Sequence, residues 1–166
     1  MTHTDVMELG RARSARTTGL SAGTMTGPAV ALAYLGAAPL LAAALFVVRG
    51  GDAAGAAQSF MALYGAMLIV FFGGVRWGVA VMRPGGPTPR ALLGACLPPL
   101  AALPLFFPGD AAGKAIIIMA FTLVILLDDL GATRRGDGAP DWYLGVRIPL
   151  TVLIEIAFLV SLAAWR

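Results

Sequence analysis

The chain has 166 residues, of which 58% are apolar and only 13% are charged, and its mean hydropathy is +0.83. This composition excludes a water-soluble globular domain, because one small core cannot bury so much apolar surface, and it indicates a membrane protein. The formal net charge of +3 does not indicate nucleic-acid binding, since the basic residues are spread along the polar connections and form no single stripe.

The first 26 residues are predicted to form a flexible polar tail, because they are rich in Thr, Ser and Arg and show no apolar periodicity. A secretory signal peptide is the competing interpretation, but the apolar stretch that follows is about twice as long as a signal core. A mitochondrial transit peptide is a second alternative, against which Asp5 and Glu8 count.

Residues 27–166 are predicted to form a single transmembrane domain of five helices, since each crossing needs about 20 mostly apolar residues. The predicted spans are 28–48, 58–82, 91–107, 111–127 and 148–165. The third span contains Pro98, Pro99 and Pro104, which predict a kinked or broken helix. A re-entrant segment is the alternative for this span.

The charges of the tail and connections predict the orientation. By the positive-inside rule, the side with more basic residues faces the cytoplasm, so the amino terminus is predicted to be cytoplasmic and the carboxyl terminus outside. Eight basic residues lie on the predicted cytoplasmic side and three on the other: Arg11, Arg13, Arg16, Arg83, Arg90, Arg134, Arg135 and Arg147 against Arg49, Lys114 and Arg166.

Two ionisable residues, Arg76 and Glu155, lie well inside the predicted spans. At about 1.5 Å per residue, each would be on the order of 10 Å below the same interface. A lone charge in hydrocarbon is costly, so we expect an ion pair between the second and fifth helices. Such a pair would either lock helix packing or serve a proton or ion relay.

Further candidate residues have less specific signals. Gly74 and Gly78 form a small-xxx-small pair, which allows close helix approach. Trp142 and Tyr143, like Trp165 at the other end of the fifth span, are placed as an interfacial aromatic belt would be.

Asp128 and Asp129 are expected to form a solvated cap of the fourth span beside Arg134 and Arg135. Their spacing does not match the metal-binding acids of prenyltransferases or of phosphatidyl-alcohol transferases, because position 132 is Ala132 and the following residues lack the required acids.

No cofactor, metal or catalytic residue is predicted. Cys96 is the only cysteine and His3 the only histidine, so the chain alone cannot build a disulfide, a Cys-rich zinc site, an iron–sulfur cluster or a bis-histidine haem. The sequence also lacks GxSxG, HExxH and phosphate-loop motifs. An enzyme is therefore not expected, and a membrane-embedded lipid-modifying enzyme is the alternative.

Three strings resemble a known family. They are Leu35-Gly36-Ala37-Ala38-Pro39, then Phe72-Gly73-Gly74-Val75-Arg76-Trp77-Gly78, and Trp142-Tyr143-Leu144-Gly145-Val146-Arg147-Ile148-Pro149-Leu150-Thr151. The chain thereby resembles the small polytopic membrane proteins of domain-of-unknown-function family 3429, which includes transmembrane protein 69 of animal mitochondria. The resemblance implies a multi-pass protein of the bacterial inner membrane, with the mitochondrial inner membrane as the alternative, and implies no activity.

Three functions are compatible with these features. The first is an accessory or assembly component of a membrane protein complex, with the lipid bilayer, other membrane proteins or further copies of the chain as partners. The second is a small oligomeric transporter or channel that uses the Arg76–Glu155 pair. The third is lipid or quinone binding through aromatic residues: Phe71, Phe72, Trp77 and Trp142.

Overall fold

The computed structural model describes residues 26–136 and 138–164. Most of the predicted tail, residues 1–25, and the predicted end of the fifth span at Trp165 lie outside the described residues.

The described chain consists of five helices. They are α1 (Thr26–Arg49), α2 (Ala53–Val81), α3 (Pro89–Ala102), α4 (Ala111–Arg134) and α5 (Asp141–Ala163), and a 3₁₀ turn (Leu103–Phe106) continues α3. With this turn counted as part of α3, all five are long and apolar enough to cross a membrane. The predicted all-helical, five-span membrane protein is confirmed.

The connection between α4 and α5 is much shorter than the sequence predicts. Helix α4 ends at Arg134 rather than at residue 127, and α5 begins at Asp141 rather than at residue 148. The prediction ended the fourth span at the two aspartates because acids usually mark the membrane boundary. In the structure both aspartates lie within the helix, where Arg76 binds them.

The prolines of the third span change its helix type without ending it. Helix α3 continues through Pro98 and Pro99, and the backbone changes to a 3₁₀ turn at Leu103, one residue before Pro104. Proline lacks the N–H that an α-helix needs, so the tighter turn accommodates the last of the three. The predicted interruption is therefore a change to 3₁₀ geometry at Leu103, and Pro98 and Pro99 do not interrupt the helix.

Helices α1, α2, α4 and α5 form a ring, and α3 packs outside it. Helix α1 packs against α2 and α5, and α4 packs against the same two helices, whereas α3 packs mainly on α2. The core between the four ring helices is apolar and well filled; among its fully buried side chains are Leu40, Ile69, Phe72, Ile118, Ile154 and Phe158.

Helices α2 and α3 approach each other closely at Gly73. A Cβ atom there would lie 2.5 Å from Cδ of Pro99 and 2.9 Å from the carbonyl oxygen of Ala95. A Cβ atom at Gly74 or Gly78 would meet no atom within 4 Å. Within the described chain, therefore, the predicted Gly74–Gly78 face is not the one that lets a neighbouring helix approach.

Replacing Gly73 by Ala should destabilise the protein by about 1–3 kcal/mol, because the added methyl group overlaps a rigid proline ring and a backbone carbonyl. Thermal unfolding in detergent measures the effect, and Gly74→Ala is the matched control because its methyl group meets open space. Equal unfolding temperatures for the two variants would contradict the close approach at Gly73.

Candidate functional site: a charge cluster inside the bundle

Arg76 joins three helices near one end of the bundle. Its Nε donates a hydrogen bond to Oδ1 of Asp129 at 2.8 Å, and its Nη1 donates to the carbonyl oxygen of Gly94 at 2.9 Å. Its Nη2 also binds Oδ2 of Asp128. The side chain therefore extends from α2 to both α3 and α4.

Arg147 adds α5 to the same cluster. Its side chain is only 1% exposed, and its Nε lies 3.5 Å from Oδ2 of Asp129. Its Nη1 donates to the hydroxyl of Thr151 at 3.1 Å, and its Cζ lies 3.3 Å from the centroid of the Phe72 ring. The ring of Phe72 thus provides a cation–π contact for a guanidinium that is removed from water.

Asp129 is the centre of the cluster, because its two carboxylate oxygens face two different arginines. Arg76 and Asp129 each lie five residues from the end of their helix and Arg147 lies six from the start of its own, which is about 8–9 Å along each axis. Asp128 supplies the second negative charge, so the two arginines and two aspartates balance. A charge at this depth is tolerated only when it is paired in this way.

One donor of the cluster has no partner among the described residues. Nη2 of Arg147 is fully buried and forms no hydrogen bond there. The cation–π contact with Phe72 partly offsets this loss, since the ring face attracts the whole delocalised guanidinium.

The predicted ion pair between Arg76 and Glu155 is wrong. Glu155 accepts a hydrogen bond from the Thr122 hydroxyl at 2.5 Å, and its Oε2 is buried without a partner among the described residues. The depth estimate failed because α5 begins at Asp141 and not at residue 148. Glu155 therefore lies about 21 Å from the start of α5, whereas Arg76 lies about 8 Å from the end of α2.

The expected solvated cap of α4 is also wrong for one of its two acids. The Asp129 side chain is 12% exposed and binds arginines of α2 and α5, whereas Asp128 is half exposed but still binds Arg76. The expected neighbours Arg134 and Arg135 follow at the end of the helix.

The remaining candidate residues lie apart from the charges. Trp77 and Trp142 are about half exposed, and Trp142 packs edge to face against Tyr143 with ring centroids 6.3 Å apart. Phe71 is exposed, whereas Phe72 is buried under Arg147. The predicted contact of Phe72 with lipid or quinone is therefore wrong.

Two partners in the cluster, the Thr151 hydroxyl and the Gly94 carbonyl, were not predicted from the sequence. The i, i+4 spacing of Arg147 and Thr151 on one helix face is a signal that could have identified this hydrogen bond. The Gly94 carbonyl has no sequence signal, because a backbone acceptor is available at every residue.

A cavity of about 130 Å³ lies beside the cluster, at the end of the bundle where α2 and α4 end and α3 and α5 begin. Asp128, Asp129 and Tyr143 line it together with four arginines: Arg76, Arg83, Arg90 and Arg135. The cluster therefore forms one wall of a cavity whose described lining contains more arginines than aspartates.

The whole helical region, residues 25–163, matches the family described as "Protein of unknown function (DUF3429)". The chain belongs to this family. All charged residues of the cluster lie within the matched range, so the site of this DUF3429 member is part of the family domain.

This DUF3429 member is similar to transmembrane protein 69 of Xenopus tropicalis, with 29% identity over 138 residues. The similar region covers 81% of this chain and 53% of that relative, so the chain spans about half the length of the curated relative it matches. No solved structure matches the chain significantly. Together the family match and the five apolar helices identify a multi-pass membrane protein.

Asp129→Asn should destabilise this DUF3429 member by about 3 kcal/mol, because it leaves the buried Arg147 without a carboxylate and Arg76 with only the half-exposed Asp128. Asp128→Asn removes the same charge from a half-exposed side chain and should cost less than about 1 kcal/mol. Chemical or thermal unfolding in detergent compares them. A larger loss for Asp128→Asn would contradict the central position of Asp129.

Glu155→Gln should leave the unfolding temperature unchanged or raise it, since the amide oxygen still accepts from Thr122 and an amide cannot ionise in the apolar bundle. In a double-mutant cycle, Arg76→Gln and Glu155→Gln should be additive within about 0.5 kcal/mol. A larger coupling energy would show that the two side chains interact after all.

Proposed function

We propose that this protein is a non-catalytic accessory or assembly component of a membrane protein complex. The observation that supports this function is an apolar groove between α1 and α2, at the opposite end of the bundle from the charge cluster. The groove is lined by alanines with a proline and two phenylalanines at its sides: Pro39, Ala42, Ala43, Phe46, Ala53, Ala56, Ala57 and Phe60.

The occupant proposed for this groove is a transmembrane helix of a partner protein. Within lipid, apolar surface alone does not drive association, so helices associate where small side chains let their backbones approach closely. Five alanines line the groove, and Ala42 and Ala56 are exposed within it. Phe46 and Phe60 are also exposed and provide walls against which a helix can pack.

The charge cluster supports a structural role in the same protein. Its arginines and aspartates bind one another and connect α2, α4 and α5, with the Gly94 carbonyl of α3 as an additional partner. Such a network holds α2, α4 and α5 in one arrangement, and α1 packs against two of these helices, α2 and α5. This gives a stable surface for docking rather than a path for ions.

The transporter alternative loses its predicted basis, because it relied on an Arg76–Glu155 pair. Those residues bind different partners at different positions along α4: Arg76 binds Asp129, and Glu155 binds Thr122. The accessory role does not require a polar path through the bundle.

We place the protein in a bacterial inner membrane with its amino terminus in the cytoplasm. The support for this orientation is the excess of basic residues on the tail, the α2–α3 connection and the region joining α4 to α5. The mitochondrial inner membrane is the alternative, since the Xenopus tropicalis relative is a eukaryotic protein. In either membrane, the charge cluster and its cavity would lie at the side that holds the amino terminus.

Filling the groove tests the accessory function. Ala42→Leu and Ala56→Leu place larger side chains where a partner helix would lie, so complexes extracted in mild detergent should lose the partner and migrate as the smaller species. Ala31→Leu is the matched control, because Ala31 is exposed on α1 and does not line the groove. Native electrophoresis and light scattering measure the size of each species.

Two results would contradict the proposal: recovery of the wild-type protein as a lone monomer from its native membrane, or complexes that are unaffected by both groove variants. Co-expression of two differently tagged copies identifies the occupant further. Co-purification of the tags that depends on Ala42 and Ala56 would show that a second copy fills the groove, in place of a different protein.

A further inference from the structure

We propose that the arginine-lined cavity at the charged end of the bundle binds the phosphate group of a membrane phospholipid. This ligand site goes beyond the accessory function and lies at the opposite end from the α1–α2 groove, so either proposal can fail alone.

Arginines outnumber aspartates among the described residues that line the cavity, where there are four arginines and two aspartates. The two aspartates are already bound by Arg76, and Asp129 also lies against Arg147. They are therefore poor partners for two further arginines of the lining, Arg90 and Arg135.

These two arginines are positioned to bind a ligand. Arg90 in the first turn of α3 and Arg135 at the end of α4 are both exposed, and neither side chain forms an ion pair with another residue in the described ranges. Arginine binds phosphate through two parallel N–H groups, which makes it the most suitable side chain for this anion. The hydroxyl-bearing side chains of Tyr143 and Thr88 also line the cavity.

The size of the cavity fits a phosphate group. Its volume is about 130 Å³. A phosphate group has only five heavy atoms, so this space holds it without displacement of the ion pairs of Arg76. Direct contact between phosphate and Arg76 is not needed, because Arg90 and Arg135 supply the donors.

The position of the cavity favours a lipid as the source of the phosphate. Arg76 and Asp129 lie about 8 Å inside their helix ends, whereas Arg90 and Arg135 lie at the ends themselves, so the cavity covers the depth of the headgroup region. The lining also includes apolar side chains, among them Val75, Val79 and Ala80. A phospholipid carries both kinds of group, a phosphate that arginine binds and an apolar part that packs against such side chains.

Binding of phosphatidylglycerol to the purified full-length protein in a neutral detergent tests the site by native mass spectrometry. The wild type should retain the lipid, and Arg90→Gln and Arg135→Gln should each weaken binding about tenfold, as expected for loss of one charge-assisted contact. Arg134→Gln removes the same charge from the adjacent, exposed residue outside the cavity lining, and it should change binding less than about twofold.

Equal losses in Arg134→Gln and Arg135→Gln would overturn the site, because they would reflect the general charge of this end of the protein. Equal retention of diacylglycerol, which lacks phosphate, would overturn it as well. Inorganic phosphate alone distinguishes the source of the phosphate group. If it displaces the lipid and its binding is weakened equally by Arg90→Gln and Arg135→Gln, the phosphate site is correct and the lipid assignment is wrong. Unchanged unfolding temperatures of the three variants would show that each change acts on binding rather than on folding.

Discussion

The burial of Asp129 is the constraint on which the arrangement of the helices depends. A carboxylate among apolar helices is stable only if cations lie beside it and its oxygens accept hydrogen bonds. Arg76 of α2 and Arg147 of α5 meet these conditions from two sides, at 2.8 Å and 3.5 Å. Helices α2, α4 and α5 must therefore keep their charged turns at one depth, and this requirement sets their vertical register.

The same constraint explains the surroundings of Arg147. A guanidinium that is almost fully buried needs more than one acceptor, and it receives Asp129, the Thr151 hydroxyl and the face of Phe72. Phe72 precedes Gly73, where α3 approaches α2 closely. One segment of α2 therefore has two roles. Phe72 and Arg76 belong to the charge cluster, and Gly73 allows α3 to pack against α2. This concentration of roles explains why the segment contains both a buried aromatic ring and a glycine that contacts a proline ring.

The five helices could be predicted from the sequence because each requires only a long apolar stretch, and the interruption near Pro104 follows from the missing N–H of proline. The pairing of charges could not be predicted in the same way. Asp128 and Asp129 were placed outside the fourth span because hydropathy treats every acid as a boundary, although a paired acid can lie inside. Because of that error, the two aspartates were not considered as partners of Arg76, and Glu155 was the only acid left inside the predicted spans. Three of the four cavity arginines, Arg83, Arg90 and Arg135, served in the prediction only as topology signals. Only the three-dimensional arrangement shows that they line one space together with Arg76.

The separation of Arg76 from its acceptors along the chain has a consequence for biogenesis. Arg76 precedes Asp128 and Asp129 by 52 and 53 residues, so α2 enters the membrane before its counter-charges have been synthesised. Until α4 arrives, the guanidinium of a nascent chain must remain hydrated, near the interface or beside the translocation machinery. Helix α2 therefore reaches its final position only after α4 has entered the membrane, and the helices pack together late instead of one at a time.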